Sequence, residues 1–507
     1  MKIFTGAQTR QIDGYTIEHE PVKSIDLMER ASVALMQAYV GLYSASRPVF
    51  IFAGPGNNGG DGIALARHLV LLGYYVKVYV LESSSYSPDS LINIERLERQ
   101  GVVTLSYIDS PSDFPQISKS GVVVDSLFGS GLTRPLSGVA EQLVGYLNEQ
   151  ETDRVAIDIP SGLYSESNPF PNQNTVYRAA VTIAIQFPKV SFFFPENDQY
   201  VGQWVVVDIG LHPKAICEVS SPYFLVDEQY IFDNLPHKNK FDHKGLRGHC
   251  LIIAGCHGMY GAAIISAKSC LMAGAGLVSV HVPQGGLSIV QQALPEAIVD
   301  IDMNEHYFTN ANLDGKYNAI AIGPGLGTHP QTMVGFKQFL QKNKCPLVID
   351  ADGLNIIATN LELIKLLPQS TIITPHVGEF NRLFGKTNSG YSRLAQAQRF
   401  AAQYSIIIVL KGAHTQIVCP SGQVYFNSTG NSAMATAGSG DSLTGIIVSL
   451  LGQGLKPIKA AVLGVYLHGK AADLALEAKG GGSIVAADIS SALSAALGHF
   501  YNQFTKK

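Results

Sequence analysis

Short apolar runs recur along this chain, and most lead into a stretch with helical spacing. VFIFA (49–53) precedes DGIALARHLVLLG (61–73), and the series continues through YVKVYVLE (75–82), VVTLSY (102–107), VVVDSLF (122–128), RVAIDIP (154–160), AVTIAI (180–185) and WVVVDIGL (204–211). The pattern fades and then restarts with GHCLIIAGC (248–256), helix-like AAIISAKSCLMAGAG (262–276), LVSVHV (277–282), YNAIAIG (317–323), PLVID (346–350), STIITP (370–375) and SIIIVL (405–410). Such alternation predicts parallel sheets flanked by helices, with ligands bound at the carboxyl ends of the strands. TQIVC (415–419) and QVYFN (423–427) read as a hairpin, and the first 30 residues carry spacing that suits helices. No unit repeats at a fixed period, so the two series are separate α/β units rather than copies. The expected division is residues 1–212, a linker region over 213–235, and residues 236–507.

Composition narrows the function classes. A chain of 507 residues exceeds one ordinary core, and 46% apolar with 15% charged residues is the balance of a packed globular protein. A formal charge of −4 gives no global cationic surface, which argues against a nucleic-acid binder. The six cysteines (Cys217, Cys250, Cys256, Cys270, Cys345, Cys419) form no C-x-x-C pair and suit free thiols in a reducing compartment. No run reaches the roughly 18 apolar residues of a membrane span, and MKIFTGAQTRQIDGYTIEHE lacks a signal-peptide core. The expectation is a cytoplasmic protein with no membrane or nucleic-acid partner.

Two glycine turns carry chemistry. In AGPGNNGGDG, Gly54, Gly56 and Gly59 fit G-x-G-x-x-G, with Glu82 ending the next run. Backbone amides at such a turn can approach a phosphate, although a plain tight turn has the same spelling. Asn57, Asn58 and Asp61 depart from a redox cofactor loop and suit ribose hydroxyls or a weakly hydrated cation. DSLFGSGLTRP (125–135) and DIPSGL (158–163) add strand-end carboxylates, glycines, Ser161 and Arg134. These aspartates would converge on one pocket if their strands are neighbours; alternatively each caps a helix.

Together these three loops resemble the NAD(P)HX epimerase domain, which interconverts the R and S forms of hydrated nicotinamide dinucleotides, and the likeness spans roughly residues 1–212. The resemblance implies a Rossmann-like three-layer sandwich. It implies that Asn57, Asn58, Gly59, Gly60, Asp61, Gly129, Ser130, Gly131, Leu132, Thr133, Arg134, Pro135 and Asp158 line the substrate. Asn58, Asp125 and Ser161 would ligate K+, Asp158 would do acid–base work, and Lys189 would be a second proton-handling group.

The second turn is NSAMATAGSGDSLTG (431–445), where Gly438, Gly440 and Asp441 open an apolar helix. Amides there can stabilise a transferring phosphoryl group, and an aspartate can take the proton of an attacking hydroxyl; a simple N-cap is the other reading. GSGD in this setting resembles the ribokinase-like superfamily. With GPGLG (323–327), DADGLN (350–355), TPHVGEF (374–380) and LKGAHT (410–415), the likeness extends to the ADP-dependent NAD(P)HX dehydratase over 236–507. This implies a ribokinase-like three-layer sandwich with Asp441 as base and Gly438, Ser439 and Gly440 as the anion hole. Lys411, Gly412, Ala413, His414, Thr415 and Asn431 would hold the nucleotide with that turn. Gly276, Gly325, Gly327, His376 and Asp441 would contact the hydrated dinucleotide. Asp350 and Asp352 could cap a helix or reach a metal.

The implied function is repair: one site epimerises NADHX or NADPHX, and the other dehydrates the S form to NADH or NADPH, with ADP as phosphate donor, Mg2+ as its metal and a homo-oligomer as the assembly. The alternative is a ribokinase-like small-molecule kinase fused to a non-catalytic dinucleotide-binding module.

Overall fold

The computed structural model describes residues 1–167, 175–236, 239–313 and 315–504, and the chain divides into two compact units, Lys2–Tyr223 and Phe224–Lys507, the latter taking in Met1. The segment expected as a linker is not bare: it holds a helix Pro213–Glu218, a strand Tyr223–Leu225 and a helix Glu228–Asn234.

The first unit is built on a seven-stranded sheet. Its spatial order is Leu105–Ile108, Val76–Leu81, Val49–Ala53, Val122–Ser126, Asp153–Ile157, Val181–Ile185, Gln203–Val207, with every pairing parallel. VFIFA shows why such runs are apolar throughout. Val49, Ile51 and Ala53 face one helical layer with Ile63 and Leu65, whereas Phe50 and Phe52 face the other with Leu143 and Val144. Both faces are covered, so alternation is lost.

The chain runs outward in opposite directions from Val49–Ala53 and Val122–Ser126, which makes the gap beyond their carboxyl ends a topological switch point. The glycine turn sits there for steric reasons. A β-carbon on Gly54 would stand 1.8 Å from the Leu127 carbonyl oxygen, and one on Gly62 would meet the Ser126 hydroxyl at 2.0 Å. Only glycines let the helix Asn57–Leu71 start this close to the sheet.

In the second unit a parallel sheet runs Ile407–Leu410, Ile372–Ile373, Leu347–Ile349, Ala319–Ile322, His249–Ile253, Leu277–Val282, Ile298–Ile301. The antiparallel hairpin Gln416–Val418/Val424–Phe426 extends it beside Ile407–Leu410, as the sequence predicts. The helix Ser439–Gly452 is buried from Ser442 onward, which accounts for its all-round apolar character. It approaches the helix Tyr260–Met272 closely, because a β-carbon on Gly445 would fall 2.1 Å from the Ser266 carbonyl oxygen. Both units are thus three-layer α/β sandwiches. Among the described residues no helix is long and apolar enough to cross a membrane.

Candidate active sites

In the first unit the switch point opens into a cavity of about 1060 Å³. Asn57, Asn58, Asp61, Gly129, Ser130, Gly131, Leu132, Thr133, Arg134, Pro135, Asp158 and Lys189 all line it, so three loops far apart in sequence do converge. Gly59 and Gly60 are absent from that lining. A β-carbon on Gly59 would meet the Gly54 carbonyl oxygen at 1.8 Å, and one on Gly60 the Met28 sulfur at 2.9 Å, so they pack the turn.

No side chain caps the helix Asn57–Leu71, which leaves its first amides available to an anionic group in the cavity. Asp158 takes a left-handed backbone (φ 65°), a costly conformation for a residue with a β-carbon. Its Oδ1 pairs with Lys189 Nζ at 2.7 Å, and its Oδ2 accepts from the Ser130 amide at 3.4 Å. Lys189 is buried and also donates to the Phe187 carbonyl at 3.0 Å, so the pair is fixed in place.

Asp125 and Ser161 lie behind the wall. Asp125 Oδ1 accepts from Ser161 Oγ at 2.6 Å and from the Leu127 amide at 3.1 Å, and Oδ2 accepts from the Ser161 amide at 2.7 Å. Burial nevertheless pushes its carboxyl up to about 6, outweighing those hydrogen bonds. Asn58 is buried with neither amide atom hydrogen-bonded. An orphaned amide, and a carboxylate whose burial outweighs its three hydrogen bonds, are groups that a cation held by oxygen atoms would satisfy.

Sequence reasoning missed one wall. The helix Gly6–His19 brings Arg10 and Asp13 into the same cavity, and Gln186 joins them. Burial, reinforced by the Asp158 charge and opposed by Lys189 and Arg10, lifts Asp13 to about 6. Asp61 is raised further, by burial first and then by Asp158, Asp13 and Asp89.

In the second unit, loops at the carboxyl edge of the sheet gather around Asp441. Gly438, in a left-handed turn (φ 84°), precedes the helix, and no side chain caps it. Lys411 Nζ pairs with Asp350 Oδ1 at 2.8 Å and stands 3.8 Å from Glu379 Oε2, while Thr444 Oγ1 donates to Asp350 Oδ2 at 2.8 Å. This ion pair underlies the turn, since a β-carbon on Gly440 would lie 3.3 Å from Lys411 Nζ. Asp441 is pushed up to about 7, by burial first and then by Asp350, with Lys411 opposing and Asp352 adding to the rise. Ser439 Oγ is 3.4 Å from Nε2 of buried His468, whose own basicity burial depresses to about 4.

Gly325 and Gly327 follow the strand Ala319–Ile322 in left-handed turns, and the Gly327 amide donates to Asp352 Oδ2 at 2.9 Å. His376 bridges to Lys411, but its Nδ1 caps the helix Val377–Phe384, accepting from the Gly378 amide at 2.9 Å and the Glu379 amide at 3.3 Å. Its Nε2 stands 3.5 Å from Glu379 Oε1, so both ring nitrogens face groups of their own helix start. Gly412 and Ala413 are exposed, Thr415 Oγ1 closes the turn onto the Gly412 carbonyl at 3.0 Å, and His414 Nδ1 is 3.2 Å from the Asn427 carbonyl. Asn431 Nδ2 donates to Asp473 Oδ1 at 2.8 Å, so Asn431 shapes its loop through its side chain.

Gly276 does not join this group. It precedes the strand Leu277–Val282, at the opposite edge of the sheet, where a β-carbon would fall 1.9 Å from the Lys244 carbonyl oxygen. Close packing against that backbone explains the glycine. Nor is there a dedicated metal cage: among the described residues no three His, Cys, Asp or Glu side chains could hold a metal together. Asp350 is committed to Lys411 and Thr444, and Asp352 to Gly327 and Asn355. A metal here would arrive on nucleotide phosphates, which is how Mg2+ is usually bound.

Two family models match separate stretches of the chain. Residues 24–191 match the family model described as the YjeF-related protein N-terminus, and residues 250–495 match that of NAD(P)H-hydrate dehydratase. The bifunctional NAD(P)H-hydrate repair enzyme Nnr of Moorella thermoacetica is 34% identical over 96% of this chain and 95% of its own. The chain belongs to the bifunctional NAD(P)H-hydrate repair enzyme family. The Nnr protein of Thermofilum pendens is 32% identical over 98% of this chain and 96% of its own. A crystal structure of the ADP/ATP-dependent NAD(P)H-hydrate dehydratase from Bacillus subtilis, co-crystallised with ATP and Mg2+, is 30% identical, covering 54% of this chain and 97% of that one with a TM-score of 0.48.

Proposed function

We propose that this enzyme repairs hydrated NADH and NADPH at two separate sites. The first unit interconverts the R and S epimers, and the second dehydrates the S epimer at the expense of ADP. The observation that carries the reading is Asp441 at the mouth of an uncapped helix, poised near neutrality beside the Lys411–Asp350 pair.

Hydroxide leaves a ring poorly near neutral pH, whereas a phosphate ester leaves readily. Asp441 takes the proton of the ring hydroxyl as its oxygen attacks the terminal phosphorus of ADP, and AMP departs. The first amides of the helix Ser439–Gly452 stabilise the charge developing on the phosphoryl oxygens. The carbon–oxygen bond then breaks with release of inorganic phosphate, and loss of a ring proton restores the dihydropyridine. Lys411 and the Gly412–Thr415 turn, with Asn431, hold the nucleotide; Gly325, Gly327 and the half-exposed ring of His376 hold the dinucleotide.

In the first unit Asp158 and Lys189 handle protons, and the loops Asn57–Asp61 and Gly129–Pro135 hold the dinucleotide phosphates and sugars. K+ fits Asn58, Asp125 and Ser161, where it would supply a fixed charge that orients the substrate. Mg2+ would enter the second site with the nucleotide and neutralise its phosphates. The proposal places the enzyme in the cytoplasm as a homo-oligomer. The test is direct: the purified chain, given the S hydrate and ADP, restores the near-ultraviolet absorbance of the dihydropyridine and releases AMP and phosphate in equal amounts. No recovery with ADP or ATP would refute it.

A further inference from the structure

We propose that Asp13 is the second acid–base residue of the epimerase site, acting on the ring hydroxyl together with Asp158; this rests on the epimerase reading above.

The carbon to be inverted carries a hydroxyl next to the ring nitrogen. By the route proposed, an oxygen leaves one face and one is restored on the other, so a proton must be delivered at the departing oxygen and removed at the arriving one. One carboxyl cannot serve both positions without moving. Asp13 and Asp158 reach the same cavity from different elements, Asp13 from the helix Gly6–His19 and Asp158 from the loop after the strand Asp153–Ile157. Their surroundings differ. Asp158 is tied to the Lys189 ammonium at 2.7 Å and to the Ser130 amide at 3.4 Å. Asp13 has no such ammonium bonded to it; the charges that face it are Asp158 and Asp61 against Lys189 and Arg10. Burial holds it at about 6, so near neutrality it can carry a proton and also give it up. Two carboxyls in one site with environments that set them apart is the pattern of an acid and a base.

The step balances. Protonated Asp13 gives its proton to the ring hydroxyl, the carbon–oxygen bond breaks, water leaves, and the ring nitrogen lone pair forms a carbon–nitrogen double bond. Water then adds to the opposite face as Asp158 carboxylate removes its proton, and the double bond returns to nitrogen as a lone pair. Asp13 ends as carboxylate and Asp158 as acid, and exchange with solvent or the reverse reaction resets the pair.

The experiment uses the full chain and follows R-to-S exchange by NMR in water enriched in oxygen-18. The unmodified chain is expected to incorporate the label into the ring hydroxyl at each inversion. Asp13→Asn is expected to lower kcat by about a hundredfold or more, with KM nearly unchanged and dehydration of the S epimer intact. Asp13→Glu, which keeps the carboxyl, is expected to recover part of the rate. Asp13→Asn within threefold of the unmodified rate would overturn the assignment, as would equal losses in the Asn and Glu variants, which would signify packing. Inversion without label uptake would overturn the water-departure step. A complete lack of epimerisation by the unmodified chain would instead refute the epimerase function itself.

Discussion

Asp350→Asn tests how the second site sets its base. Asp350 acts on Asp441 in two ways: its charge raises Asp441, and it is paired with the Lys411 ammonium, whose own charge lowers Asp441. Asparagine removes the charge and frees Lys411, while its carbonyl can still accept from Thr444. With Asp441 at about 7, dehydration by the unmodified enzyme should rise with pH and reach half its plateau near pH 7. At pH 6 it should then retain roughly one-tenth of that plateau, by ordinary single-group titration. A newly unopposed ammonium within a few ångströms lowers a carboxyl by about 1–3 units. The variant's half-point should therefore fall to about pH 6 or below, and it should keep about half or more of its own plateau at pH 6. The plateau will be lower, because breaking a buried pair costs about 3 kcal/mol and loosens Lys411. The assay is the initial rate of dihydropyridine formation between pH 5 and 9, normalised to each plateau. A half-point that stays put, or moves to higher pH, would refute the electrostatic reasoning.

The same rise makes Asp441 a source of instability. Its folded value lies above its unfolded one, so its contribution to stability is present in acid and is lost as pH rises from about 4 through about 7. Asp441→Asn should abolish dehydration yet raise Tm at pH 8, with the advantage over the unmodified chain vanishing near pH 4. Asn58→Ala should remove any potassium dependence of epimerisation and leave dehydration unchanged, because it empties the site of its orphaned amide; potassium titration of both rates checks this. Gly62→Ala should cost about 1–3 kcal/mol or more by overpacking against Ser126, and thermal unfolding should show the loss in the first unit. Gly276→Ala should likewise lower stability through the Lys244 carbonyl, while KM for the hydrated dinucleotide in dehydration stays the same. A raised KM at unchanged stability would restore Gly276 to the binding site.

Much of this architecture was legible because parallel strands buried on both faces leave an unmistakable trace: VFIFA and LVSVHV need apolar side chains at every position. Loops at the ends of such strands could be read as site material for the same reason. Regions governed by long-range contact were not legible. The strand expected at 102–107 forms only over Leu105–Ile108, STIITP shrinks to Ile372–Ile373, and Ile298–Ile301 is a strand that no apolar run announced. Arg10 and Asp13 escaped notice because the helix that carries them precedes the first strand series and reaches the cavity only after folding. Their spacing puts both on one helix face, which was the available signal. Gly276 illustrates the opposite error: a glycine in a glycine-rich stretch suggests a ligand, but here it makes room for backbone. The Lys411–Asp350 pair joins residues far apart in the chain, so nothing local distinguishes Lys411 as a partner of Asp350 from Lys411 as a nucleotide contact.

Division of labour between two sites is most directly tested by measuring both activities on the same preparations of Asp441→Asn and Asp158→Asn. The account predicts that Asp441→Asn still interconverts the epimers but regenerates no NADH, and that Asp158→Asn dehydrates pure S hydrate at the normal rate but leaves the R form untouched. A folded variant in which either single change silences both reactions would contradict it.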